Sequence, residues 1–222
     1  WAVIPIKNLN ETKHRLKSAL NPQERRDFFV EMFEDVLTTL LAVPELEQVA
    51  VATVCPIAGK IAKKYGTSVL FTEKDEGQTA AVTRTAEILE SKRVAKMLML
   101  PGDVPLVTVE EIQTVIATHE NACSTPDVPA MTIVPARDEQ GSNCIVLSPP
   151  TAAPLSFGPN SYFPHLETAR KLGVSLQTLK LPGIGLDIDT PEDLLELGRQ
   201  SVQTRAQNYL QKYKILERIK IA

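Results

Sequence analysis

Short apolar runs alternate along the first half of the chain with longer segments whose hydrophobic residues recur at helical spacing. The apolar runs have the length of buried strands and lie at residues 1–6, 48–54, 67–71 and 97–100. The helical patterns lie at residues 21–42, 58–65, 78–91 and 109–120. Strands that alternate with helices in this way predict right-handed βαβ units and a parallel sheet. Pro5 predicts that the first strand ends there or leaves the ladder.

The second half of the chain departs from this pattern. Two apolar stretches, at residues 130–134 and 143–147, flank the polar turn PARDEQG and predict a β-hairpin. A helix, a strand at residues 174–179 and a last helix entered at Thr190 follow. We therefore expect an α/β fold with a mostly parallel sheet, helices on its faces and an appended antiparallel hairpin.

No linker or internal repeat divides residues 1–222, so the sequence predicts a single domain. Residues 199–222 are helix-prone and basic, and we expect them to form a helical C-terminal extension. Two arrangements are open for this extension. It packs on a second subunit in a homodimer, or it forms a frayed helix in solvent.

Composition narrows the function classes. Hydrophobic residues at 43% and charged residues at 23% of 222 residues are typical of a globular protein. Nucleic-acid-binding proteins are usually strongly basic, whereas this chain has a net charge of −3. No nucleic acid partner is therefore expected. No apolar run approaches the ~18 residues of a membrane span, and the first residues lack the charged start of a signal peptide. These features predict a cytoplasmic protein with no membrane partner.

The cysteines and histidines are not predicted to be catalytic or metal-binding residues. The three cysteines are far apart and form no CxxC pair, which predicts reduced, mostly buried thiols rather than disulfides or a zinc site. His14, His119 and His165 are predicted to be non-catalytic, since no nucleophile elbow accompanies them. The sequence also lacks the glycine-rich signatures of P-loop and dinucleotide-binding folds.

Three aspartates lie where strands are expected to end. Asp103 follows the buried run at residues 97–100, and the carboxyl edge of an open α/β sheet is where ligands bind. Asp187 and Asp189 precede the last helix, and alternation along an extended segment places them on one face. Carboxylates on rigid strand ends suit Mg²⁺, which we predict as the cofactor. Helix capping is the alternative explanation for all three aspartates.

Two further segments favour anions. The loop after the first strand carries Lys7, Lys13, Arg15 and Lys17, and such a loop either receives phosphates or is a solvated charged turn. The segment SFGPNS at residues 156–161 precedes a helix and offers backbone N–H groups to an anion. Cations, carboxylates for a metal and helix N-termini together are the components of phosphoryl or nucleotidyl transfer.

Short motifs in a fixed order resemble a known family. They are PIK-x5-K-x-RL at residues 5–16, LPGDVPL at 100–106, GSN-x4-SPP at 141–150, FGPNSYFPHLETA at 157–169 and LDIDTPEDL at 186–194. Together they resemble the guanylyltransferases of coenzyme F420 biosynthesis, whose members use 2-phospho-L-lactate, phosphoenolpyruvate or 3-phospho-D-glycerate. The resemblance implies a Rossmann-like fold similar to that of MobA-like nucleotidyltransferases. It also implies transfer of GMP from GTP to a phosphorylated three-carbon acid, with release of pyrophosphate.

The resemblance assigns roles to individual positions. The family's metal-binding aspartates fall on Asp103, Asp187 and Asp189. The catalytic positions are Lys7, Lys13, Arg15 and Asp103. The positions that bind the acid are Ser142, Asn143, Gly158 and Ser161. The positions that bind the nucleotide are Lys7, Gly77, Thr79 and Asp103. The sequence departs from the family at Ser142, Thr79 and Asn160, which replace a usual threonine, asparagine and glycine.

The implied mechanism needs no protein nucleophile. An oxygen of the acid's own phosphate attacks the α-phosphorus of GTP in line, while Lys7, Lys13 and Arg15 stabilise the departing pyrophosphate. Two rival functions fit the same residues. One is a MobA-like or sugar-phosphate nucleotidyltransferase, and the other is a non-catalytic nucleotide-binding module.

Overall fold

A computed structural model describes residues 1–9, 12–71, 77–123, 128–158 and 160–219. Its strands are β1 (Ala2–Ile6), β2 (Val49–Thr53), β3 (Ser68–Phe71), β4 (Met97–Met99), β5 (Ala130–Pro135), β6 (Ser142–Ser148) and β7 (Ser175–Thr178). Its α-helices are α1 (Pro22–Leu41), α2 (Pro56–Lys64), α3 (Gln78–Ser91), α4 (Val109–Ala122), α5 (Tyr162–Lys171), α6 (Pro182–Gly185), α7 (Pro191–Arg199) and α8 (Arg205–Lys212). Short 3-10 helices cover His14–Ser18 and Leu216–Arg218. Residues 10 and 11 of the predicted cationic loop and residues 220–222 of the tail lie outside the described residues.

The described strands form one seven-stranded sheet in the order β3-β2-β1-β4-β6-β5-β7. Strands β1 to β4 pair in parallel, which confirms the predicted βαβ half of the molecule. The predicted hairpin is β5 and β6. It continues the sheet, because β6 pairs antiparallel with β4 on one side and β7 pairs parallel with β5 on the other. The mostly parallel α/β fold is therefore confirmed.

Pro5 stays in the ladder, so the prediction that the first strand ends or leaves the ladder there is wrong. In the parallel register of β1 and β2, Pro5 lies opposite Ala52. On its other side β1 pairs with β4 only at Ala2 and Val3. Because β4 does not pair with Pro5, the N–H that proline lacks is not needed for the ladder between β1 and β4. A central strand can therefore contain a proline near its end.

Helices cover both faces of the sheet, and alternation along β1 shows how the core divides. Ala2, Ile4 and Ile6 belong to one buried cluster, which includes the apolar side chains of α1. Val3 belongs to a second cluster on the opposite face, with buried side chains of α3 and α5. This two-sided burial explains why the strands of the first half read as continuous apolar runs.

The C-terminal extension packs on its own chain. Asp35 of α1 accepts hydrogen bonds from the backbone N–H groups of Arg205 and Ala206 at 2.9 and 3.0 Å. The Tyr209 ring of α8 lies 5.9 Å from the Phe28 ring of α1. The buried side of α8 is thus used within the chain, and a homodimer through this helix stays a prediction.

The three cysteines are free, as the sequence predicts. Cys55 and Cys144 are buried free thiols, and Cys123 is half-buried and also free. None of the helices in the described ranges combines the length and the apolar character needed to cross a membrane.

Candidate functional site

Two cavities open side by side at the edge of the sheet where β1 and β4 end and β6 begins. The first, called here the β1 cavity, has a volume of about 280 Å³ and is lined by Lys7, Lys13 and Gly77 among others. The second, the β6 cavity, has a volume of about 560 Å³ and is lined mainly by the turns that flank β6, α5 and α7. Asp103 and Asp189 line both cavities. The two spaces therefore meet at a pair of carboxylates.

Asp103 is held at this meeting point by the tight turn that follows β4. A Cβ atom on Gly102 would lie 2.6 Å from Ile6 Cδ1, so the turn packs directly on the core. Helix α4 is capped by Thr108, whose hydroxyl accepts a hydrogen bond from the Glu111 N–H at 3.1 Å. The alternative that Asp103 serves as the cap of this helix is therefore wrong.

Asp187 and Asp189 lie on an extended segment beside Asp103. The Ile188 N–H donates to the Asp103 carbonyl oxygen at 3.0 Å, and the Ile188 side chain is fully buried. Alternation then places both aspartates on the face opposite Ile188, as the sequence predicts. The Thr190 side chain caps α7, so helix capping does not explain these two aspartates.

Lys13 joins two of the three carboxylates. Its Nζ atom donates to Asp103 Oδ2 at 2.6 Å and to Asp189 Oδ1 at 2.5 Å, and its side chain is only 4% exposed. Its backbone adopts the left-handed conformation with φ 56°, which non-glycine residues rarely do. Burial alone would lower the pKa of Lys13, but the attraction of the two carboxylates outweighs it and raises the pKa above its ordinary value. Lys13 is therefore a permanent buried cation at the centre of the site.

Asp187 is the third carboxylate, and its charge is less well compensated. The Asn143 amide donates to Asp187 Oδ1 at 3.0 Å. Burial, together with repulsion from Asp103 and Asp189, nevertheless raises the pKa of Asp187 to about 6. A further cation near Asp187 would relieve this cost.

Asp103 and Asp187 carry carboxylate oxygens of the kind that bind a divalent cation. Asp103 Oδ1 is buried and has no hydrogen-bond partner among the residues that the structure describes, which leaves one oxygen for a ligand. Within the described ranges, no group of three His, Cys, Asp or Glu residues is arranged to hold a metal ion, and the Lys13 ammonium lies between Asp103 and Asp189. Mg²⁺ needs few carboxylates because water and phosphate oxygens complete its shell. The predicted three-aspartate metal site stays a prediction.

The other predicted cations divide between the cavities. Lys7 lines the β1 cavity, and Arg15 lines the β6 cavity. Burial raises the pKa of Asp189, but attraction to Lys13, and more weakly to Arg15 and Lys7, outweighs it and holds the pKa below its usual value. The cationic loop therefore places positive charge around Asp189. Lys17, the fourth cation of the loop, is exposed and lines neither of the two cavities.

The predicted acid-binding residues line one wall of the β6 cavity. The structure brings together there Ser142, Asn143, Gly158 and Ser161. Ser142 and Ser161 are buried apart from small exposed fractions of 7% and 5%. The Ser142 hydroxyl lies 2.9 Å from the Nδ1 atom of His165, a buried residue of α5. This wall presents hydroxyl, amide and backbone groups rather than charge.

The departures at Thr79 and Asn160 have structural explanations. Gly77 is the N-cap of α3, with a φ of 89°, and lines the β1 cavity, whereas the Thr79 side chain contacts the backbone of Phe157. Its hydroxyl oxygen accepts the Phe157 N–H at 2.9 Å, so it holds the loop of the β6 cavity. A role of Thr79 in binding the nucleotide stays a prediction. Asn160 has φ 59°, the left-handed conformation that asparagine tolerates best after glycine.

Three residues of the site were not predicted from sequence: Gln78, Arg137 and Glu111. Gln78 lines both cavities and begins α3, and Arg137 lines the β6 cavity. Glu111 is buried in α4 and accepts the N–H groups of Gly183 and Ile184 at 2.7 and 3.1 Å, which holds α6 just before Asp187. Arg137 belongs to a polar turn and Glu111 to a helix, so each resembles an ordinary solvated charge in sequence.

Comparison with known proteins identifies the family. The model described as "Guanylyl transferase CofC like" matches residues 1–220. The phosphoenolpyruvate guanylyltransferase of Chloroflexus aurantiacus is 33% identical over 199 residues, which cover 89% of this chain and 93% of that one. The 3-phospho-D-glycerate guanylyltransferase of Colwellia psychrerythraea is 30% identical over 192 residues, covering 86% and 88% of the two chains.

Solved structures show the same fold. A structure from Desulfovibrio desulfuricans G20 matches with a TM-score of 0.77 at 15% identity, over 98% of this chain and 96% of that one. A cytidylyltransferase from Leptospira borgpetersenii matches with a TM-score of 0.60 at 15% identity, over 100% and 98%. These structures show the fold alone. The family model and the two guanylyltransferase relatives show that the chain belongs to the CofC-like guanylyl transferase family and is a nucleotidyltransferase enzyme.

Proposed function

We propose that the protein transfers GMP from GTP to a phosphorylated three-carbon acid and releases pyrophosphate. The observation that carries this proposal is that two cavities of different chemistry meet at Asp103 and Asp189. Transfer between two bound substrates needs such adjacent spaces, because the reacting atoms must be held within about 3–3.5 Å of each other.

The β1 cavity suits the triphosphate. The amino end of α3, a helix of 14 residues, lies at this cavity through Gly77 and Gln78, and the first N–H groups of a helix favour a negatively charged ligand. Lys7 and Lys13 line the same space and add positive charge. Helix N–H groups and lysines both favour phosphate oxygens, so we assign this cavity to GTP.

The β6 cavity suits the acid. Its wall of Ser142, Gly158 and Ser161 supplies directional donors, and Arg15 and Arg137 supply charge at its border. A phosphorylated three-carbon acid is small and carries both a phosphate and a carboxylate, and this cavity offers donors for each. Phosphoenolpyruvate is the first candidate because the Chloroflexus aurantiacus relative is a phosphoenolpyruvate guanylyltransferase. The others are 3-phospho-D-glycerate and 2-phospho-L-lactate, and coenzyme F420 biosynthesis is the proposed pathway.

Asp103 and Asp187, with Asp189 beside them, would hold Mg²⁺, which supplies charge neutralisation to a transferred phosphoryl group when it is bound. The chain's own residues do the remaining work by positioning. An oxygen of the acid's phosphate attacks the α-phosphorus of GTP from the β6 side, and the bond from that phosphorus to the pyrophosphate oxygen breaks. Lys7 and Lys13, which line the β1 cavity, stabilise the negative charge that leaves with pyrophosphate, and Arg15 lies on the side of the acid.

An assay of pyrophosphate release tests this proposal. The purified chain is incubated with Mg²⁺, each of GTP, ATP, CTP and UTP, and each of the three acids, and products are identified by mass spectrometry. We expect product with GTP and at least one acid. Product formed only with sugar phosphates would favour a sugar-phosphate nucleotidyltransferase. GTP binding without any product would favour a non-catalytic module, and either result would overturn the proposal.

Two further expectations are part of the proposal. We place the protein in the cytoplasm, and we propose a homodimer that uses the exposed side of the C-terminal helix. Sedimentation of the full chain over a range of concentrations tests the second, since a constant monomer mass would exclude the dimer.

A further inference from the structure

The Ser142 hydroxyl is in contact with a buried histidine, His165. His165 of α5 is 2% exposed, and its ring lies 5.4 Å from the ring of Phe157 in an edge-on arrangement. Its two nitrogen atoms make separate contacts. Nδ1 lies 2.9 Å from Ser142 Oγ, and Nε2 lies 2.9 Å from the backbone nitrogen of Ser156. The imidazole thus connects β6 to the loop that borders the β6 cavity.

The backbone contact fixes which nitrogen carries the proton. The Ser156 N–H can only donate, so Nε2 must offer its lone pair. A neutral imidazole has one N–H, which then belongs to Nδ1 and donates to the Ser142 oxygen. A doubly protonated ring would set an N–H against the Ser156 N–H. Burial lowers the pKa of His165 to about 4, so the ring is neutral at physiological pH.

The direction of the Ser142 hydroxyl group follows from its contact with His165. Because its oxygen already accepts the His165 N–H, its own hydrogen is directed away from the imidazole. Ser142 lines the β6 cavity, where its hydroxyl hydrogen is available to a negatively charged oxygen. A serine without this support could present its lone pair instead, which would repel an anion.

We propose that His165 is a positioning residue, which makes the Ser142 hydroxyl a donor to the acid and ties the Ser156 backbone to the same wall. The inference rests on the proposed function, because it takes a phosphorylated acid as the occupant of the β6 cavity. His165 touches no substrate. It acts through Ser142, and so it should affect binding of the acid and leave binding of GTP in the β1 cavity unchanged.

The two contacts can be separated by two substitutions. In His165→Gln the side-chain oxygen reaches the Nε2 position and keeps an acceptor for Ser156, but the donor to Ser142 is lost. In His165→Asn the amide nitrogen lies near the Nδ1 position and keeps the donor, but the contact with Ser156 is lost. His119 provides the matched control, because it is 1% exposed and lies near two hydroxyls, those of Thr132 and Ser148, outside both cavities.

Steady-state kinetics with GTP and phosphoenolpyruvate, 3-phospho-D-glycerate or 2-phospho-L-lactate test the inference. We expect His165→Gln to raise the KM for the acid about tenfold, the usual effect of one lost hydrogen bond, with the KM for GTP and kcat nearly unchanged. His165→Asn should restore most of the affinity for the acid. His119→Gln should alter neither KM. A double substitution with Ser142→Ala should show no further loss from His165→Gln, because the two residues act through one contact.

Nitrogen NMR of the imidazole gives a readout that does not depend on turnover. The inference predicts that His165 carries its proton on Nδ1 in the wild-type protein. A proton on Nε2 would overturn it, as would equal KM values for the acid in His165→Gln and His165→Asn. A parallel rise in the KM for GTP would show a merely structural role and would also overturn it. If the wild-type enzyme forms no product with any of the acids, the proposed function fails, and this inference fails with it whatever the tautomer.

Discussion

Lys13 in the β1 cavity is a charged side chain paired with two carboxylates, whereas the Ser142 side of the β6 cavity is built from neutral groups beside a neutral histidine, and the charges of the β6 cavity lie elsewhere in its lining, on Arg15, Arg137 and six carboxylates. In the first, Lys13 lies within hydrogen-bond distance of Asp103 and Asp189. In the second, His165 supports Ser142. The difference matches what each proposed occupant requires. A triphosphate with a divalent cation needs strong charge compensation, whereas selection among small acids needs donors of fixed direction.

Loss of the shared carboxylate is expected to have the largest effect, because Asp103 belongs to both cavities. Asp103→Asn keeps the size of the side chain and removes its charge, and we expect turnover to fall by about 10³-fold or more. Thermal unfolding should show a folded protein. Asp27→Asn on α1 is the control and should turn over like the wild type. Substantial activity of Asp103→Asn would contradict a shared role of this carboxylate.

Loss of the buried cation should affect both activity and stability. Lys13→Met leaves Asp103 and Asp189 facing each other without compensation, and we expect turnover to fall about 10²-fold. Unfolding in urea should show a loss of about 1–3 kcal/mol, less than for a fully buried pair because the two aspartates are 22% and 42% exposed. In the double variant with Asp189→Asn, the losses should be clearly less than additive. Additive losses would show that the ion pair does not stabilise the fold.

Acid pH should weaken the fold through its neutral histidines. The pKa values of His119 and His165 are lowered by burial to about 4, whereas an unfolded histidine titrates near 6.5. Between these values the unfolded chain binds protons that the folded chain does not, so the free energy of unfolding falls as the pH decreases from about 6.5 to about 4. The expected loss is about 2–3 kcal/mol per histidine. Urea unfolding of the wild type and His119→Gln at several pH values checks this, and equal slopes for the two proteins would contradict it.

Loss of the Thr79 hydroxyl should have the smallest effect. Thr79→Val removes the acceptor for the Phe157 N–H and loosens the loop of the β6 cavity from α3. We expect the KM for the acid to rise about threefold to tenfold, and Thr79→Ser should retain the wild-type value. A rise in the KM for GTP alone would show instead that Thr79 binds the nucleotide.

Sequence predicts those parts of the site that depend on strand ends. Asp103 follows the apolar strand β4 at the carboxyl edge of the sheet, whereas Asp187 and Asp189 follow α6 and are marked by their alternation with the apolar Ile188. Lys13 was predicted as a phosphate ligand, but its burial between two carboxylates depends on the path of the loop after β1. That path includes a left-handed residue and a 3-10 helix, which no hydrophobic period reveals.

The role of His165 could not be predicted from the sequence either. In sequence it is one polar residue near the start of a helix, and it was predicted to be non-catalytic. Its contacts with Ser142 and Ser156 join segments 23 and 9 residues away, and only the packing of α5 against the sheet reveals them. The order of β6, β5 and β7 was equally hidden, because local pattern identifies a hairpin without stating which strand pairs with β4.

The most direct test of the two-cavity account follows the fate of the α-phosphate. The enzyme is mixed with Mg²⁺, GTP labelled at the α-phosphate and phosphoenolpyruvate, 3-phospho-D-glycerate or 2-phospho-L-lactate, and the reaction is quenched within a single turnover. The account predicts that the label moves directly into the acid product, with one pyrophosphate released for each product formed and no label on the protein. Label bound covalently to the protein before product forms, or GTP left intact with every acid, would contradict it.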